Sequence, residues 1–475
     1  MLKRLATEIA PRMMGYKLAR RGLAPVPAPI NLTYSVTNKC NSRCRSCDIW
    51  KIYPAEKEKL ADELTLDQIE RLFASIGPVY FFNISGGEPF LRADLPQIIA
   101  AGCKHLKPKV VHIPTNALMP ARIEALTVEI LAWMEIHAPK VTLTLKPSMD
   151  GVGDDHDWVR GVAGNYSKLM DTVERLKALQ ARWPNLKVGV GTVISTMNIH
   201  KLPGIIDAAT QLNVDTYISE VAEERAEMRN VASDITPPQH AYAEAIRPFI
   251  AATMLRLEKA GGMELLTQAM RVVYYDVTTR WLAERRQILP CYAGLSNVHI
   301  SPYGEVWPCA ILGDASSLGN VKDVGLDFWK IWHGPAAMKV RASIKRGECD
   351  CPLANQNYAN ILLSPSAMSQ VGQIIAQSRG RALLARLGLA PASPASPSPA
   401  SQRPTAPLER RDQGEDHPFD LEAANGGRRQ RGLKYAYTPR TPSTTPPPMA
   451  GVEPEAPQSA GRPVASPPPG PQGEA

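Results

Sequence analysis

Between residues 30 and 225 the chain alternates short, nearly continuous apolar runs with segments of helical spacing. The apolar runs fall at Asn31–Thr37, Val79–Ser85, Lys109–Thr115, Val141–Ser148, Lys187–Ser195 and Asp215–Val221. Runs such as Val79–Phe82 and Val188–Val193 leave little room for a solvent-facing side, which suits parallel strands covered on both faces. Helices fill the gaps. Thr65-Leu66-Asp67-Gln68 reads as a capping box with Leu64 and Ile69 as its hydrophobic staple. The helix behind it shows Leu72, Phe73 and Ile76 on one face. Asn165 stands where it would cap a helix carrying Leu169, Val173, Leu176 and Leu179 at helical spacing. Six such units in a row predict an α/β fold, a parallel barrel or part-barrel.

The flanks read differently. Residues 1–29 predict a basic amphipathic helix and a proline-rich strap. Leu2, Leu5, Ile9, Met13, Met14 and Leu18 share it with Lys3, Arg4, Arg12, Lys17, Arg20 and Arg21. Such a helix packs on the next domain or lies on anionic lipid. Residues 226–290 are helical in pattern, with Tyr242, Ile246, Phe249, Ile250, Tyr274, Tyr275 and Trp281 expected in packing. Residues 291–364 form a small cysteine-rich α+β extension. Residues 365–389 predict an amphipathic helix that docks on the barrel or touches a membrane. From 390 to 475 the chain is rich in proline, serine and charge, cannot bury enough apolar surface to fold, and is expected to be a disordered tail. The short island Gly432–Tyr437 within it could meet a partner.

Composition narrows the class. The 475 residues are 44% hydrophobic, with net charge +8 and pI near 9.0. No signal-peptide run follows Lys3 and Arg4, and no stretch reaches membrane-span length. The reading is therefore a cytoplasmic protein, with peripheral membrane contact through the basic helix as the variant. Eight cysteines in that setting are metal ligands or free thiols more readily than disulfides. The positive charge raises RNA as a partner, but no RNA-binding module is recognisable, which argues against nucleic acid.

Chemistry gathers at the ends of the strands, where ligands bind in parallel β/α architectures. The first run leads into Cys40-Asn41-Ser42-Arg43-Cys44-Arg45-Ser46-Cys47. With cysteine this sparse, a C-x3-C-x2-C triplet arises by chance roughly 0.002 times in such a chain. Thiolates suit zinc, copper(I) or an iron–sulfur cluster. A cubane held here would lack a fourth protein ligand, leaving one iron open. The second run ends in Gly86-Gly87-Glu88-Pro89. Its glycines would let backbone amides approach a ligand, and Glu88 offers an acceptor for an ammonium group. The later runs end in Thr115-Asn116, Ser148-Met149-Asp150, Thr192–Ser195 and Glu220. Arg43 and Arg45 either offset a negatively charged cluster or only meet solvent.

The C-x3-C-x2-C loop followed one unit later by Gly86–Pro89 resembles the radical S-adenosylmethionine (SAM) enzymes over residues 30–225. The resemblance implies a partial (β/α)6 TIM-like barrel with a [4Fe–4S] cluster on Cys40, Cys44 and Cys47. SAM would chelate the open iron. Gly86, Gly87, Glu88 and Pro89 would hold its ammonium group, and Thr115, Ser148, Asp150, Thr192 and Glu220 become candidate SAM contacts. The position before the third cysteine is usually aromatic in that family; here it is Ser46, with Trp50 as the nearby substitute. The activity implied is reductive cleavage of SAM to a 5′-deoxyadenosyl radical, and the partner implied is a low-potential electron donor such as ferredoxin or flavodoxin. The substrate, whether peptide, small metabolite or lipid precursor, stays open.

A second constellation spaces Cys291, Gly304 and Cys309 as C-x12-G-x4-C, with Cys349 and Cys351 beyond. Residues 298–308 read as a β-hairpin with a Tyr303-Gly304 turn. The spacing resembles the SPASM or twitch extension in its one-cluster form, implying an auxiliary [4Fe–4S] cluster on these four thiols. Zinc suits four thiolates as well. Cys103 is left over, in a helical stretch. Two other classes compete with the enzyme reading: a non-catalytic metal-cluster scaffold and an RNA-modifying radical SAM enzyme.

Overall fold

The computed structural model describes residues 9–231 and 233–386. Leu2, Lys3, Arg4 and Leu5, the segment from 390 onward and the island Gly432–Tyr437 lie outside the described residues.

Six strands run parallel, β1 (Asn31–Thr37), β2 (Phe81–Gly86), β3 (Val110–Thr115), β4 (Thr142–Pro147), β5 (Leu186–Ile194) and β6 (Thr216–Val221), each beside the next. Helices cross between them, among them α1 (Ala10–Arg21) ahead of the first strand, α2 (Leu66–Ile76), α3 (Leu95–Ala101), α4 (Pro120–His137), α5 (Asp154–Arg160), α6 (Asn165–Leu179) and α7 (Leu202–Gln211). The pleat sorts side chains to opposite faces. Leu32, Tyr34, Val36, Phe82, Ile84, Val111, Ile113, Leu143 and Leu145 join the helices in one buried core. Thr33, Ser35, Asn83, Ser85, His112 and Lys146 alternate with them on the inner face. This is the partial parallel barrel expected, with a polar interior.

Local signals behave as the pattern predicts at α2. Thr65 and Gln68 form a reciprocal capping box, worth about 1 kcal/mol, and Leu64 and Ile69 are fully buried beside it. Asn165 does not. The cap position is Gly164, and Asn165 is the first helical residue of α6. Its amide donates instead to the Asn116 carbonyl at 3.0 Å, tying α6 to the end of β3. A side chain that suits a cap was recruited instead, through its nitrogen, by a strand end distant in sequence.

The sheet continues past β1. β7 (Asn297–Ile300) pairs parallel with β1, from Asn31↔Asn297 to Tyr34↔Ile300. β8 (Glu305–Trp307) returns antiparallel and β9 (Gly319–Asn320) closes the edge, giving the order β6-β5-β4-β3-β2-β1-β7-β8-β9. The hairpin expected at 298–308 is therefore present, but it is part of the barrel's own sheet. Between β6 and β7, α8 (Gln239–Ala245), α9 (Arg247–Lys259) and α10 (Gly262–Glu284) pack, past α11 (Phe328–Trp332) and α12 (Pro335–Lys345) in the chain, with α13 (Ala354–Leu363) and α14 (Pro365–Arg386) into a second core. Tyr242, Phe249, Tyr274, Tyr275 and Trp281 are buried there, as packing residues. Helix α1 docks through Met13 and Tyr16 on Tyr292, Leu295 and Leu363, and α14 docks through Ala367 and Val371. Among the described residues no helix is long and apolar enough to cross a membrane.

Phe73 is wholly buried and meets Tyr34 and Phe82 edge-on at 5.6 and 5.3 Å. Phe73→Ala is expected to cost about 3–5 kcal/mol in chemical denaturation, the range for an aromatic removed from a packed core. A loss below 1 kcal/mol would contradict this packing.

Candidate functional site

The cysteine loop leaves β1 and is gripped from two sides by backbone. On one side stands the turn after β2. Gly87 N–H donates to the Thr37 carbonyl and Glu88 N–H to the Lys39 carbonyl, both at 2.8 Å. A Cβ on Gly86 would sit 2.1 Å from Thr37 O, and one on Gly87 2.3 Å from Lys39 O. The glycines thus permit contact with the chain just before Cys40, and these two amides are spent on the loop. On the other side stands the end of α5. Arg43 N–H donates to Arg160 O at 3.2 Å, Arg45 N–H to Val159 O at 2.9 Å, and Ser42 Oγ–H to Arg160 O at 3.1 Å. Gly161, at φ 69°, lets the loop in; a Cβ there would lie 2.0 Å from Arg43 O.

Held this way, Cys40, Cys44 and Cys47 share one pocket. Burial pushes the Cys40 thiol up to about 11 and the Cys47 thiol up to about 12, with each neighbouring thiol adding to the effect. Metal coordination deprotonates such thiols outright. Ser42 Oγ lies 3.1 Å from Cys44 Sγ. The cation facing this pocket is Arg160. Burial alone would lower its pKa, but Cys44 and Asp150 outweigh burial and hold it raised. Arg160 pairs with Asp150 at 2.9 Å, and its Nε is buried without a partner. The sequence left open whether Arg43 and Arg45 take this role or only meet solvent. Arg45 instead stacks on Trp158 at 4.4 Å, and Arg43 lies 6.0 Å from the Trp50 ring.

The candidate SAM contacts divide. Glu88 is fully buried and accepts from Thr115 Oγ1 (2.9 Å), Asn116 N (2.7 Å) and Phe90 N (3.2 Å). Its carboxyl group, and Thr115 with it, lock the turn after β2 to the end of β3. Pro89 begins the buried single turn that follows. Asp150 is occupied by Arg160 and by Val193 N–H at 2.8 Å. Thr192 donates to Met149 O at 2.6 Å. Ser148, at the end of β4, is half-buried with no side-chain partner among the described residues. Glu220 is half-buried and meets Lys146 at 3.4 Å. Two residues were missed. Asn116 donates to Asn41 Oδ1 at 2.7 Å and lies 3.9 Å from Cys40 Sγ. Arg160 is the other; its only signal was a place one β/α unit beyond β4.

The second thiol set also assembles. Burial raises Cys291, Cys309 (to about 12), Cys349 and Cys351, and each of the last two feels Cys291 and Cys309. Gln287 ties two of them: its amide donates to Cys349 O at 3.0 Å and its oxygen accepts from Cys291 N. Trp281 Nε1 holds Asp350, between Cys349 and Cys351, at 2.7 Å. Among the described residues no three His, Cys, Asp or Glu side chains converge on a single ion. Four sulfurs on one zinc would lie roughly 3.8 Å apart; a cubane holds its ligands farther out. Both thiol sets fit a cluster in donor type and burial. Cys103 is buried in the core.

Between the two sets lies a polar seam. Ser35 Oγ is 2.8 Å from His299 Nε2, which is 3.5 Å from Glu227. Burial raises Glu227 to about 7 and lowers His299 to about 3, so both favour their neutral forms. A cavity of about 50 Å³ is lined here by Thr33, Asn83, Ser85, Arg225, His299 and Cys309.

Residues 34–209 match the radical SAM superfamily, and residues 291–352 match the SPASM iron–sulfur cluster-binding domain. The chain thus carries a radical SAM domain followed by a SPASM-type domain; these domains imply SAM and [4Fe–4S] clusters. It is 22% identical to the subtilosin biosynthesis protein AlbA of Bacillus subtilis, over 66% of this chain and 62% of that one. The chain thus spans about three fifths of AlbA's length. It is 27% identical to the PqqA peptide cyclase of Xanthomonas campestris, over 68% of this chain and 78% of that one. Streptococcus suis SuiB bound to SAM superposes with a TM-score of 0.47 at 16% identity, over 69% and 70% of the two chains.

Two outcomes test this geometry. Burial raises Glu88 to about 7. A carboxyl raised on folding stabilises most below its ordinary pKa, near 4.5, and loses that contribution as pH climbs through 7. Wild type should therefore lose stability relative to Glu88→Gln between pH 5 and 8 in urea denaturation; a flat difference would mean the three donors hold the carboxylate charged. Gly87→Ala should cost iron at the first thiol set while iron at the second persists, read by iron and sulfide content with and without Cys309→Ala.

Proposed function

We propose that this protein cleaves SAM reductively at a cluster held by Cys40, Cys44 and Cys47, and directs the resulting 5′-deoxyadenosyl radical to hydrogen abstraction from a peptide. The observation that carries the reading is three coupled thiols on one backbone-clamped loop, with no fourth thiol beside them, at the mouth of a polar-lined partial barrel. When bound, the cluster and SAM supply the electron and the radical; the protein's part is placement and exclusion of side reactions. Arg160 offsets thiolate charge. The clamp formed by the β2 turn and the end of α5 fixes the loop that would hold the cluster. Ser148 and the Lys146–Glu220 pair offer polar groups on the inner face. Thr115, Asp150 and Thr192 brace the strand ends that carry them.

A peptide is favoured as substrate because two relatives are named for peptide chemistry, a bacteriocin biosynthesis protein and a peptide cyclase. Four C-terminal thiols would ligate every iron of a cubane, which suits passage of an electron rather than binding of substrate. A cytoplasmic setting, where all eight cysteines stay reduced, fits both thiol sets.

The test is anaerobic reconstitution with iron and sulfide, then dithionite and SAM. 5′-Deoxyadenosine should appear with the wild type, vanish with Cys44→Ala, and persist at least in part with Cys309→Ala. No product from wild type with both clusters intact, or full cleavage by the Cys44 variant, would sink the assignment. Substrate class is then read by isotopic label moving from a candidate peptide into 5′-deoxyadenosine.

A further inference from the structure

We propose that the solvent side of the cysteine loop is the docking face for an acidic, low-potential one-electron carrier protein, with Lys39, Arg43 and Arg45 as its charged contacts and Trp158 as its apolar one. The proposal rests on the cluster assignment above. Loop residues 39–51 carry Lys39, Arg43, Arg45 and Lys51 against the lone acid Asp48. Asp48 is taken by Lys51 at 2.8 Å. Lys39, Arg43 and Arg45 are exposed, and among the described residues none of them pairs with a carboxylate. A surface whose cations only meet solvent ordinarily intersperses both signs; this one does not.

The face is also ordered and partly apolar. Trp158 is 50% exposed. Arg45 lies 4.4 Å above its ring and donates from Nε to its carbonyl at 3.0 Å. A stacked guanidinium is pre-organised and weakly hydrated, so less is lost when a partner covers it. Arg43 and Lys51 lie 6.0 and 5.2 Å from the Trp50 ring, extending the patch along the loop. The acids of α5 are mostly committed: Asp157 accepts from Gly164 N and Tyr166 N, and Asp155 pairs with Lys201. Asp154 is the exposed one left.

Position decides the occupant. Arg43 and Arg45 flank Cys44 in sequence, and the three thiols are themselves only partly covered. A carrier seated on Arg43, Arg45 and Trp158 comes within one residue of the cluster ligands. Its cofactor is oxidised by one electron, the cluster is reduced by one, and no atom is exchanged. Positive charge around such a port steers an acidic carrier and speeds its arrival.

The experiment uses the reconstituted holoenzyme with reduced flavodoxin, and in a parallel arm reduced ferredoxin, against dithionite. Arg43→Glu/Arg45→Glu should slow carrier-driven SAM cleavage by roughly tenfold or more beyond any change in the dithionite-driven rate, and weaken flavodoxin binding in calorimetry. In the wild type, raising salt from roughly 0.02 to 0.3 M should slow the carrier-driven rate alone, since screening shortens the reach of the patch. Equal slowing with both reductants would overturn the proposal, because the arginines would then serve the cluster itself. So would a rise confined to the KM of the peptide, or salt-dependent RNA binding lost in the variant with carrier kinetics unchanged. If the double variant takes up no iron, Lys39→Glu and the wild-type salt series decide; a carrier-driven rate indifferent to both overturns the docking face. Failure of dithionite to drive cleavage by wild type is a separate result, which removes the cluster assignment and this proposal with it.

Discussion

Everything at the site depends on backbone gripping backbone around one irregular loop. A segment without helix or ladder bonds keeps its conformational freedom unless something takes it away, at about 1–2 kcal/mol per residue. Here the turn after β2 and the end of α5 remove it together. They bond the loop at Thr37, Lys39, Arg43 and Arg45, on both sides of Cys40 and immediately around Cys44. Gly86, Gly87 and Gly161 are what make the approach possible, since a single methyl at any of them would collide with a carbonyl oxygen. Glu88 then secures the first jaw by bonding to Thr115 and Asn116 on the neighbouring strand. The loop's geometry is thus set by β2, β3 and the segment after β4 more than by its own sequence.

Charge follows from that confinement. Burial holds the Cys40 and Cys47 thiols against ionisation, so the unloaded loop and the loaded one differ in proton content. Arg160 is turned inward to meet the thiolates, and Asp150 anchors it. The arginines inside the cysteine motif point the other way, toward Trp158 and Trp50. One loop therefore presents sulfur to the interior and positive charge to solvent, and the two faces serve different chemistry.

Much of this was legible in the sequence. The six apolar runs became β1 to β6 within one or two residues at each end, because each carries an apolar row for the core, although in β1 to β4 polar side chains alternate with it on the inner face. The capping box at Thr65 and the Tyr303-Gly304 hairpin were local, and local signals survived. What escaped was pairing at long range. Asn165 has the chemistry of a cap, yet it bonds to Asn116 forty-nine positions away. Glu88 has the chemistry of a ligand, yet three donors from its own fold consume it. Arg160 carries no motif at all. The pairing of β1 with β7 joins residues more than 260 apart and no periodicity announces it.

That last pairing constrains function most. β1 delivers the chain to the first thiol set, and β7 delivers it through a hairpin to Cys309. Because the two strands are hydrogen-bonded in register, the separation of the two thiol sets is fixed by a sheet rather than by a linker. The hairpin tip reinforces this: Tyr303 Oη accepts from Asn38 Nδ2 at 3.1 Å, and Tyr303 packs, as Cys47 does, against the cluster of Ile49, Ile52 and Tyr53. A connection through residues 226–290 alone would let the second centre drift with helix packing. Here drift would require breaking the β1–β7 ladder, so the seam between the centres, with Ser35, His299, Glu227 and Arg225, holds one shape. A reaction that needs a group on one side and an electron acceptor on the other is served by such rigidity, since neither has to be positioned anew at each turnover.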